Sequence, residues 1–589
     1  MPSYKAPIED MAFLLGEVFP FDAVMAGLPG QEEMTAEFAV GILEEAGRFT
    51  SEVIQPLSRP GDEAGTKLEN GQVYTAPGYV EAYKQFAEAG WPGLSGDPEF
   101  GGQGLPRTVQ ILADEMLSSA DVAFGLFPGL TRGASEAIHA HATDELKAKY
   151  LPKMTSGEWT GAMALTEAHS GTDLGLLRTR AEPVGDGSYK LYGTKIFITA
   201  GDQDLTDNII HLVLARLPDA EPGVKGISLF LSPKFLVNED GSLGERNAFS
   251  AGAIEHKMGI KSSPTCVMNY DGAIGWLVGK PGKGLACMFT MMNAERLFVG
   301  VEGLAVGEAA YQGGVAYAKD RLQGRSPYGG KGPAPIIVHP DVRRMLLTTR
   351  ALTEAGRALA VWTAIEMDKA KLAPDADARA EADDMVALVT PVIKAALTDF
   401  GLESAIACQQ VFGGHGYIRE WGMEQLVRDA RITQIYEGTN GVQSMDLVGR
   451  KLTMEGGRLP ARFFALVDAE LEALAGNAAT AGYVTAAKAG IAALKRATDS
   501  LTEQDKTDPG ARGAAAVAYL HLFAIASYGW LWAKMATAAV SASEKKPIHD
   551  AKVKMADYFF AHVAPRALTL EAQVAAGAAT MMALDAEAF

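Results

Sequence analysis

The heptapeptide Gln434-Ile435-Tyr436-Glu437-Gly438-Thr439-Asn440 places one carboxylate between an apolar pair and a glycine turn. Apolar neighbours reduce the hydration of a carboxylate, which raises its pKa and makes it a stronger base once water is excluded. Glu437 is therefore a candidate general base. Taken alone, the same pattern favours a loop glutamate that caps a helix, so the assignment depends on the rest of the chain.

The composition indicates a globular protein with several domains. The chain has 589 residues, 48% of them hydrophobic, and this length exceeds that of one ordinary core. Its net charge of -19 disfavours a nucleic acid or an anionic membrane as partner, because both would repel it. Cys266, Cys287 and Cys408 are widely spaced, which predicts neither a disulfide framework nor a metal site and favours a reducing cytoplasm. The N-terminus carries no signal-peptide pattern.

Hydrophobic periodicity changes along the chain and predicts four domains. Apolar residues recur at helical spacing up to about Met154, short β-branched runs such as Ile209–Leu214 follow, and the helical period returns at Gly284. The predicted domains are an N-terminal helical domain (1–160), a middle β-domain (161–282), a C-terminal helical bundle (283–452) and an extra helical domain (453–589).

The extra helical domain contains an uncharged stretch from Gly513 to Ala533, about long enough to cross a bilayer. Its Ala, Gly, Ser, Tyr and His content is typical of a helix buried in a bundle, so no integral membrane segment is predicted. From Glu455 to Phe589 there are 13 basic and 14 acidic residues. This balance does not favour binding to DNA.

Five motifs, with the heptapeptide as the last, occur in a fixed order. They are Ala164-Leu165-Thr166-Glu167 with Gly171-Thr172-Asp173, Lys195-Ile196-Phe197-Ile198-Thr199-Ala200-Gly201, Arg321-Leu322-Gln323, Gln410-Val411-Phe412-Gly413-Gly414-His415-Gly416-Tyr417, and the Glu437 motif itself. In this order and spacing, over roughly residues 80–452, the chain resembles the acyl-CoA dehydrogenase family of flavoenzymes. The resemblance implies an α+β, mainly helical fold, with a helical domain, a small β-domain and a four-helix bundle. An extra C-terminal domain occurs in the long-chain branch, where it covers a surface otherwise used for tetramer assembly.

The resemblance also implies an FAD site. The residues carried over to it are Leu165, Thr166, Gly171, Thr172, Phe197, Thr199, Arg321, Gln323, Gln410, Gly413, Gly414 and Thr439. Phe197 stands where many members carry tryptophan, and Gly324 stands where the family usually has phenylalanine. Arg321 and Gln410 lie in elements that reach the FAD of the neighbouring subunit in the family, so a homodimer is expected.

The reaction implied by the resemblance begins with removal of the α proton of an acyl-CoA thioester by Glu437. The backbone N–H of Glu437 would donate to the thioester oxygen, and the β hydrogen would leave as hydride to flavin N5. Residues expected to bind the substrate are Thr172, Asn293, Arg296, Tyr436 and Gly438. Glu295 is a competing candidate for the base. In the family, this part of the chain forms a long helix, and a minority branch places its base on that helix.

The resemblance extends to a branch that acts in bacterial dimethylsulfoniopropionate degradation, which implies 3-methylthiopropionyl-CoA as substrate and 3-methylthioacryloyl-CoA as product. A medium- or long-chain acyl-CoA is the alternative substrate. Electron-transfer flavoprotein is the expected electron acceptor. Two further alternatives on the same scaffold are an acyl-CoA oxidase, which would pass electrons to oxygen, and a flavin-bearing, DNA-associated stress protein.

Overall fold

Helices dominate residues 4–589, the part of the chain that this computed structural model describes. In chain order they are α1 Ile8–Phe13, α2 Phe21–Ala26, α3 Ala36–Phe49, α4 Gln55–Ala64, α5 Tyr79–Glu88, α6 Arg107–Ala120, α7 Val122–His141, α8 Asp144–Thr155, α9 Gly284–Asp320, α10 Pro340–Leu372, α11 Ala376–Val411, α12 Met423–Thr433, α13 Asn440–Asp446, α14 Arg458–Leu474, α15 Ala481–Gln504, α16 Ala511–Ser541, α17 Pro547–His562 and α18 Arg566–Ala575. The strands are β1 Lys67–Glu69, β2 Gln72–Tyr74, β3 Trp159–Ala164, β4 Arg180–Pro183, β5 Ser188–Thr199, β6 Asn208–Arg216, β7 Ile227–Pro233, β8 Phe235–Val237, β9 Leu243–Arg246, β10 Phe249–Ile254 and β11 Thr265–Val278. The predicted mainly helical α+β class is confirmed.

The chain divides into two compact units. The first comprises Met1–Arg48, Pro106–Ser119 and Val299–Phe589, and the second comprises Phe49–Leu105 and Ala120–Phe298. The four domains expected from the sequence stay a prediction, because helices of the N-terminal region are divided between these two units.

A seven-stranded sheet organises the second unit. Its path runs β10-β11-β5-β4-β6-β3, and β7 pairs with both β11 and β6, so that β11, β5, β4, β6 and β7 form a closed circuit. Side chains of Leu191, Val213, Phe230 and Ala273 are fully buried in this part of the core. The run Ile209–Leu214, which predicted a strand, lies in this sheet as part of β6.

The same unit contains a hairpin that the helical periodicity of the N-terminal region did not predict. Strands β1 and β2 pair antiparallel, with Glu69 opposite Gln72. The two turn residues, Asn70 and Gly71, have φ of 52° and 77°. An Asn-Gly pair with positive φ is the preferred two-residue hairpin turn. Each strand is three residues long and mostly exposed, so hydrophobic periodicity carries almost no signal for it.

The first unit is built around α16, which packs against α10, α11, α13, α14, α15, α17 and α18. Two buried indoles fix it: Trp530 Nε1 donates to Glu470 Oε2 at 2.8 Å, and Trp532 Nε1 donates to the carbonyl of Ala351 at 3.1 Å. Helices α11 and α16 are long and apolar enough to cross a membrane, but 78% of the most apolar window of each is buried within the protein. Such burial is typical of a core helix and agrees with the prediction for α16.

A buried ion cluster joins five helices of the first unit. The guanidinium of Arg357 on α10 donates to Glu115 of α6 at 2.6 Å and to Glu308 of α9 at 2.8 Å, and it also contacts Asp10 of α1. Lys552 of α17 contacts Asp10 as well. Burial disfavours the charged form of the guanidinium, yet the three carboxylates outweigh it and hold the pKa of Arg357 above its ordinary value.

Replacing Arg357 by methionine should lower the free energy of unfolding by about 3–5 kcal/mol, because it leaves buried carboxylates without their counter-charge. The control is Arg344→Met on the same helix, where the arginine is 61% exposed and pairs with an exposed aspartate. That change should cost less than about 0.5 kcal/mol. Urea unfolding followed by circular dichroism compares the two, and equal midpoints for both variants would contradict the central role of the cluster.

Candidate active site

A buried ion pair orders the loop that follows β3. Lys195 Nζ donates to the carbonyl of Leu165 at 2.8 Å and lies 2.9 Å from Glu167 Oε1. The Glu167 carboxylate also accepts from the backbone N–H groups of Arg178 and Thr179, at 2.8 and 3.0 Å. Burial opposes the ionisation of Glu167, but Lys195 and these hydrogen bonds outweigh it and hold the pKa of the carboxyl below its ordinary value. The loop is therefore fixed at Leu165, the first of the residues expected to bind FAD.

Phe197 is presented to solvent by an irregularity in β5. The pairing of β11 with β5 shifts register between Cys266 and Met268, and Phe197 falls in that bulge with φ of 59°. Phe197 is 61% exposed. A β-branched or bulky residue with positive φ is strained, and such strain persists where the surrounding structure fixes it. An exposed, fixed aromatic ring of this kind suits a flat apolar ligand.

The other predicted residues of the second unit lie around this bulge or in the loop before it. The N–H of Ile196 donates to the carbonyl of Thr166 at 2.9 Å, which brings Thr166 next to the bulge. Thr199 is at the end of β5, opposite Thr265. Gly171 and Thr172 are exposed in the loop after Thr166.

In the first unit, a cavity of about 430 Å³ brings together five predicted residues. Its lining consists of Tyr317, Arg321, Gln323, Ile336, Gln410, Val411, Phe412, Gly413, Gly414 and His415. The two motifs that contribute Arg321 and Gln410 are far apart in sequence. Gly413 has φ of 58°, and open space surrounds the position that a Cβ would take at Gly413 and at Gly414. The cavity combines a guanidinium with accessible backbone, which are groups that bind phosphate.

An aromatic frame that the sequence did not identify supports this cavity. The rings of Tyr317 and Phe412 stack at a centroid distance of 4.1 Å, and those of His415 and Trp421 stack at 4.2 Å. Tyr317 Oη and His415 Nδ1 lie 2.9 Å apart. His415 was quoted in the motif, but only its place beside Tyr317 reveals that it lines the cavity.

Glu437 lies in a tight loop of the first unit, between α12 and α13. Its φ is 55° and that of Gly438 is 79°, so two consecutive residues are left-handed. Gln443 Nε2 donates to the carbonyl of Glu437 at 3.1 Å, and the hydroxyl of Thr439 accepts from the N–H of Val442 at the start of α13. A glutamate in this conformation costs about 1–3 kcal/mol, which the surrounding contacts must offset.

Glu302 of α9 is a buried acid beside this loop that sequence analysis missed. It is fully buried, and Tyr436 Oη donates to its Oε2. Burial raises the pKa of Glu302 to about 8, aided by the charge of Glu437 and opposed by the hydrogen bond from Tyr436. Glu302 is therefore mostly protonated at neutral pH. The signal in the sequence was a lone glutamate in an otherwise apolar stretch of helix.

Glu295, Asn293 and Arg296 lie on α9 in the second unit. Glu295 is buried, and its Oε1 would be 2.6 Å from a Cβ added at Gly133 of α7, so this glutamate packs closely on that helix. Arg296 Nη1 donates to Asn293 Oδ1 at 3.4 Å, and its guanidinium lies 5.7 Å from the centre of the Phe289 ring.

Glu302→Gln should change the pH dependence of stability. The folded protein holds a proton on Glu302 up to about pH 8, whereas an unfolded chain releases it near the ordinary value of about 4.5. Between these values the folded state binds the extra proton, so raising the pH lowers the stability of the wild type by up to about 1.4 kcal/mol per pH unit. The Glu302→Gln variant lacks this loss, because its amide does not titrate. Urea midpoints at several pH values between 5 and 8.5 measure the difference.

The control for this pH series is Glu503→Gln, where the carboxylate is 72% exposed. That variant should follow the wild type throughout. If Glu302→Gln also follows the wild type, then Glu302 is ionised across the whole range and its assignment as a neutral acid is wrong.

Comparison with known proteins bears on the whole chain. The family model for the N-terminal domain of acyl-CoA dehydrogenase matches residues 40–158, that for the middle domain 162–273, and that for the C-terminal domain 282–452. A fourth model, acetyl-CoA dehydrogenase C-terminal like, matches residues 463–585.

Individual relatives support the same family. The 3-methylmercaptopropionyl-CoA dehydrogenase of Ruegeria pomeroyi is 44% identical over 95% of each chain. The broad-specificity linear acyl-CoA dehydrogenase FadE5 of Mycobacterium tuberculosis is 31% identical over 100% of each chain. The crystal structure of an acyl-CoA dehydrogenase from Bacillus anthracis complexed with FAD has a TM-score of 0.75 at 22% identity, covering 96% of this chain and 91% of that one. This last likeness shows the shared fold. The chain therefore belongs to the acyl-CoA dehydrogenase family and is an oxidoreductase of that family.

Proposed function

We propose that this protein desaturates a short acyl-CoA thioester between its α and β carbons, with Glu437 as the base that removes the α proton. The observation that carries the proposal is the fixed, left-handed conformation of Glu437 in a loop whose sequence matches the catalytic motif of the family. Strained non-glycine residues cluster at active sites, where the surrounding structure holds them in place.

The half-buried setting of Glu437 supports its role as base. Glu437 is half-buried in the structure, so water is partly excluded from its carboxylate. The neighbouring acid Glu302, protonated at neutral pH, adds no full negative charge beside it. The backbone N–H of Glu437 is the proposed donor to the thioester oxygen, where negative charge develops as the proton leaves.

Groups in each unit fit part of an FAD cofactor. In the second unit Phe197 offers an exposed aromatic face, and we propose that Leu165, Thr166, Gly171, Thr172 and Thr199 contact the flavin or pyrophosphate. In the first unit Arg321 with Gly413 and Gly414 offers a guanidinium and open backbone for phosphate, and we propose that these residues, with Gln323 and Gln410, contact the FAD of the partner subunit. Thr439 is proposed to contact FAD as well. When bound, FAD supplies the hydride acceptor that no side chain can provide. Asn293, Arg296, Tyr436 and Gly438 are proposed to bind the acyl-CoA together with Thr172.

The assembly and cellular setting follow from the family resemblance. We propose a homodimer in which Arg321 and Gln410 reach the FAD of the partner subunit, electron-transfer flavoprotein as electron acceptor, and a bacterial cytoplasmic location. The three cysteines are free and buried, which is compatible with a reducing compartment.

For the substrate we propose 3-methylthiopropionyl-CoA, supported by the 44% identity to the Ruegeria pomeroyi enzyme over nearly the full length of both chains. A medium- or long-chain acyl-CoA is the second candidate, supported by the full-length match to the Mycobacterium tuberculosis enzyme. Pentanoyl-CoA has the same chain length as the thioether substrate with a methylene in place of sulfur. Anaerobic titration of the flavin with these thioesters and octanoyl-CoA therefore separates recognition of sulfur from recognition of length.

Glu437→Gln should abolish substrate-driven flavin reduction while FAD stays bound. The substitution keeps the size and the backbone donor but removes the proton acceptor, and loss of a general base costs about 10²–10⁴-fold or more. Stopped-flow reduction by 3-methylthiopropionyl-CoA measures the rate. Glu295→Gln serves as the matched control and should retain most of the rate. The reverse pattern, with Glu295→Gln inactive and Glu437→Gln nearly unaffected, would place this chain in the minority branch.

Arg321→Ala should weaken FAD retention by about tenfold or more, because a charge-assisted hydrogen bond to phosphate is lost. Arg325→Ala, at an exposed arginine in the same loop, is the control and should keep its FAD. The ratio of flavin absorbance to protein after gel filtration gives the result for both. Full FAD content in Arg321→Ala would remove this arginine from the proposed site.

A further inference from the structure

One carboxylate holds both ends of the loop that carries Glu437. Asp399 of α11 accepts at Oδ1 from Gln434 Nε2 and from Asn440 Nδ2, each at 2.7 Å. Gln434 is three residues before Glu437 and Asn440 is three residues after it. The N–H of Asn440 also donates to the carbonyl of Gln434 at 3.0 Å, so the two ends are closed on each other as well.

Other groups of α11 hold the second end of the loop. Lys394 Nζ donates to Asn440 Oδ1 at 2.9 Å, and Asn440 Nδ2 lies 2.9 Å from Thr398 Oγ1. The side-chain amide of Asn440 therefore has partners on both its oxygen and its nitrogen. The position of the loop relative to α11 is fixed by these polar contacts.

The other oxygen of Asp399 is engaged by the extra C-terminal domain. His521 of α16 places its Nε2 2.7 Å from Asp399 Oδ2. The imidazole also lies against the ring of Phe400, with centroids 5.6 Å apart. Because Oδ1 already receives two N–H groups, the contact with His521 fixes the remaining rotation of the carboxylate.

We propose that His521, acting through Asp399, is a positioning residue for Glu437, so that the extra C-terminal domain takes part in orienting the base. This inference rests on the proposed role of Glu437. Without the imidazole, water replaces one partner of Asp399, and the carboxylate and the two loop ends it holds gain freedom. A misplacement of about 1 Å in a reacting group can cost 10²-fold in rate even when folding is unaffected.

A second ion pair between the same domain and the same helix provides a matched control. Arg566 of α18 donates to Glu403 of α11, with Nη2 2.6 Å from Oε1 and Nη1 3.0 Å from Oε2. Glu403 follows Asp399 by one helical turn and has no hydrogen bond to the 434–440 loop among those of the described residues. Breaking this pair loosens the docking of the domain without touching the loop.

The experiment compares His521→Ala, His521→Gln and Arg566→Ala in the full-length, FAD-loaded enzyme. The readouts are the limiting rate of flavin reduction by 3-methylthiopropionyl-CoA, the half-saturating substrate concentration, the FAD content and the urea midpoint. His521→Ala should lower the limiting rate by about tenfold or more, with half-saturation changed by less than about twofold. His521→Gln keeps an N–H donor and should recover most of the rate. Arg566→Ala should stay within about twofold of the wild type.

A limiting rate in His521→Ala equal to that in Arg566→Ala would overturn the proposal, as would a glutamine variant no better than the alanine variant. If His521→Ala does not fold, the limiting rates of Asp399→Asn and Glu403→Gln are compared instead. A rate loss confined to Asp399→Asn supports the positioning role, and equal rates in the two variants overturn it. Glu437→Gln, assayed alongside, keeps the two hypotheses apart. When that variant is inactive and His521→Ala is not impaired, only the positioning role fails; when Glu437→Gln is active, the proposed base fails and the positioning role with it.

Discussion

The buried guanidinium of Arg357 is the constraint from which the geometry of the first unit follows. It holds carboxylates of α1, α6 and α9 around α10, and each of these charges is costly to bury without the others. Glu308, which fixes α9 in this cluster, lies less than two turns from Glu302, the acid that receives the Tyr436 hydroxyl. Helix α10 packs along α11, which carries Asp399. The charge cluster thus helps to position α9 and α11, the two helices that the Glu437 loop contacts.

The two strained residues of the candidate site are held in place in the same way. Glu437 and Phe197 both have positive φ, although neither is glycine, and each lies where polar contacts determine the backbone on both sides. At Glu437 the contacts come from Asp399 and Gln443, and at Phe197 they come from the register shift in β5 and the loop fixed by Lys195. In each case hydrogen bonds in the neighbouring sequence offset the conformational strain, although Phe197 is exposed and Glu437 is half-buried.

Much of the fold could be predicted from the sequence, because most helices and the main strands are long enough to show their periodicity. The motifs also occur in a characteristic order. The β1–β2 hairpin could not, since its strands are short and exposed, although Asn70-Gly71 was an available turn signal. Glu302 and the Asp399–His521 pair were missed for a different reason. Their meaning depends on contacts across more than a hundred residues of sequence, and no local pattern encodes such contacts. The roles of the individual site residues stay predictions, although the structure gathers Arg321, Gln323, Gln410, Gly413 and Gly414 around one cavity.

Proton abstraction by Glu437 is the central claim, and it can be observed apart from hydride transfer. Methylthioacetyl-CoA has hydrogens on its α carbon and sulfur in place of the β carbon, so it can lose an α proton but has no hydride to give. Incubated with the FAD-loaded enzyme in D₂O, it should gain deuterium at the α carbon with the wild type and with Glu295→Gln, and gain none above background with Glu437→Gln, as read by mass spectrometry. Undiminished deuterium uptake with Glu437→Gln would contradict the account, because another group would then be removing the proton.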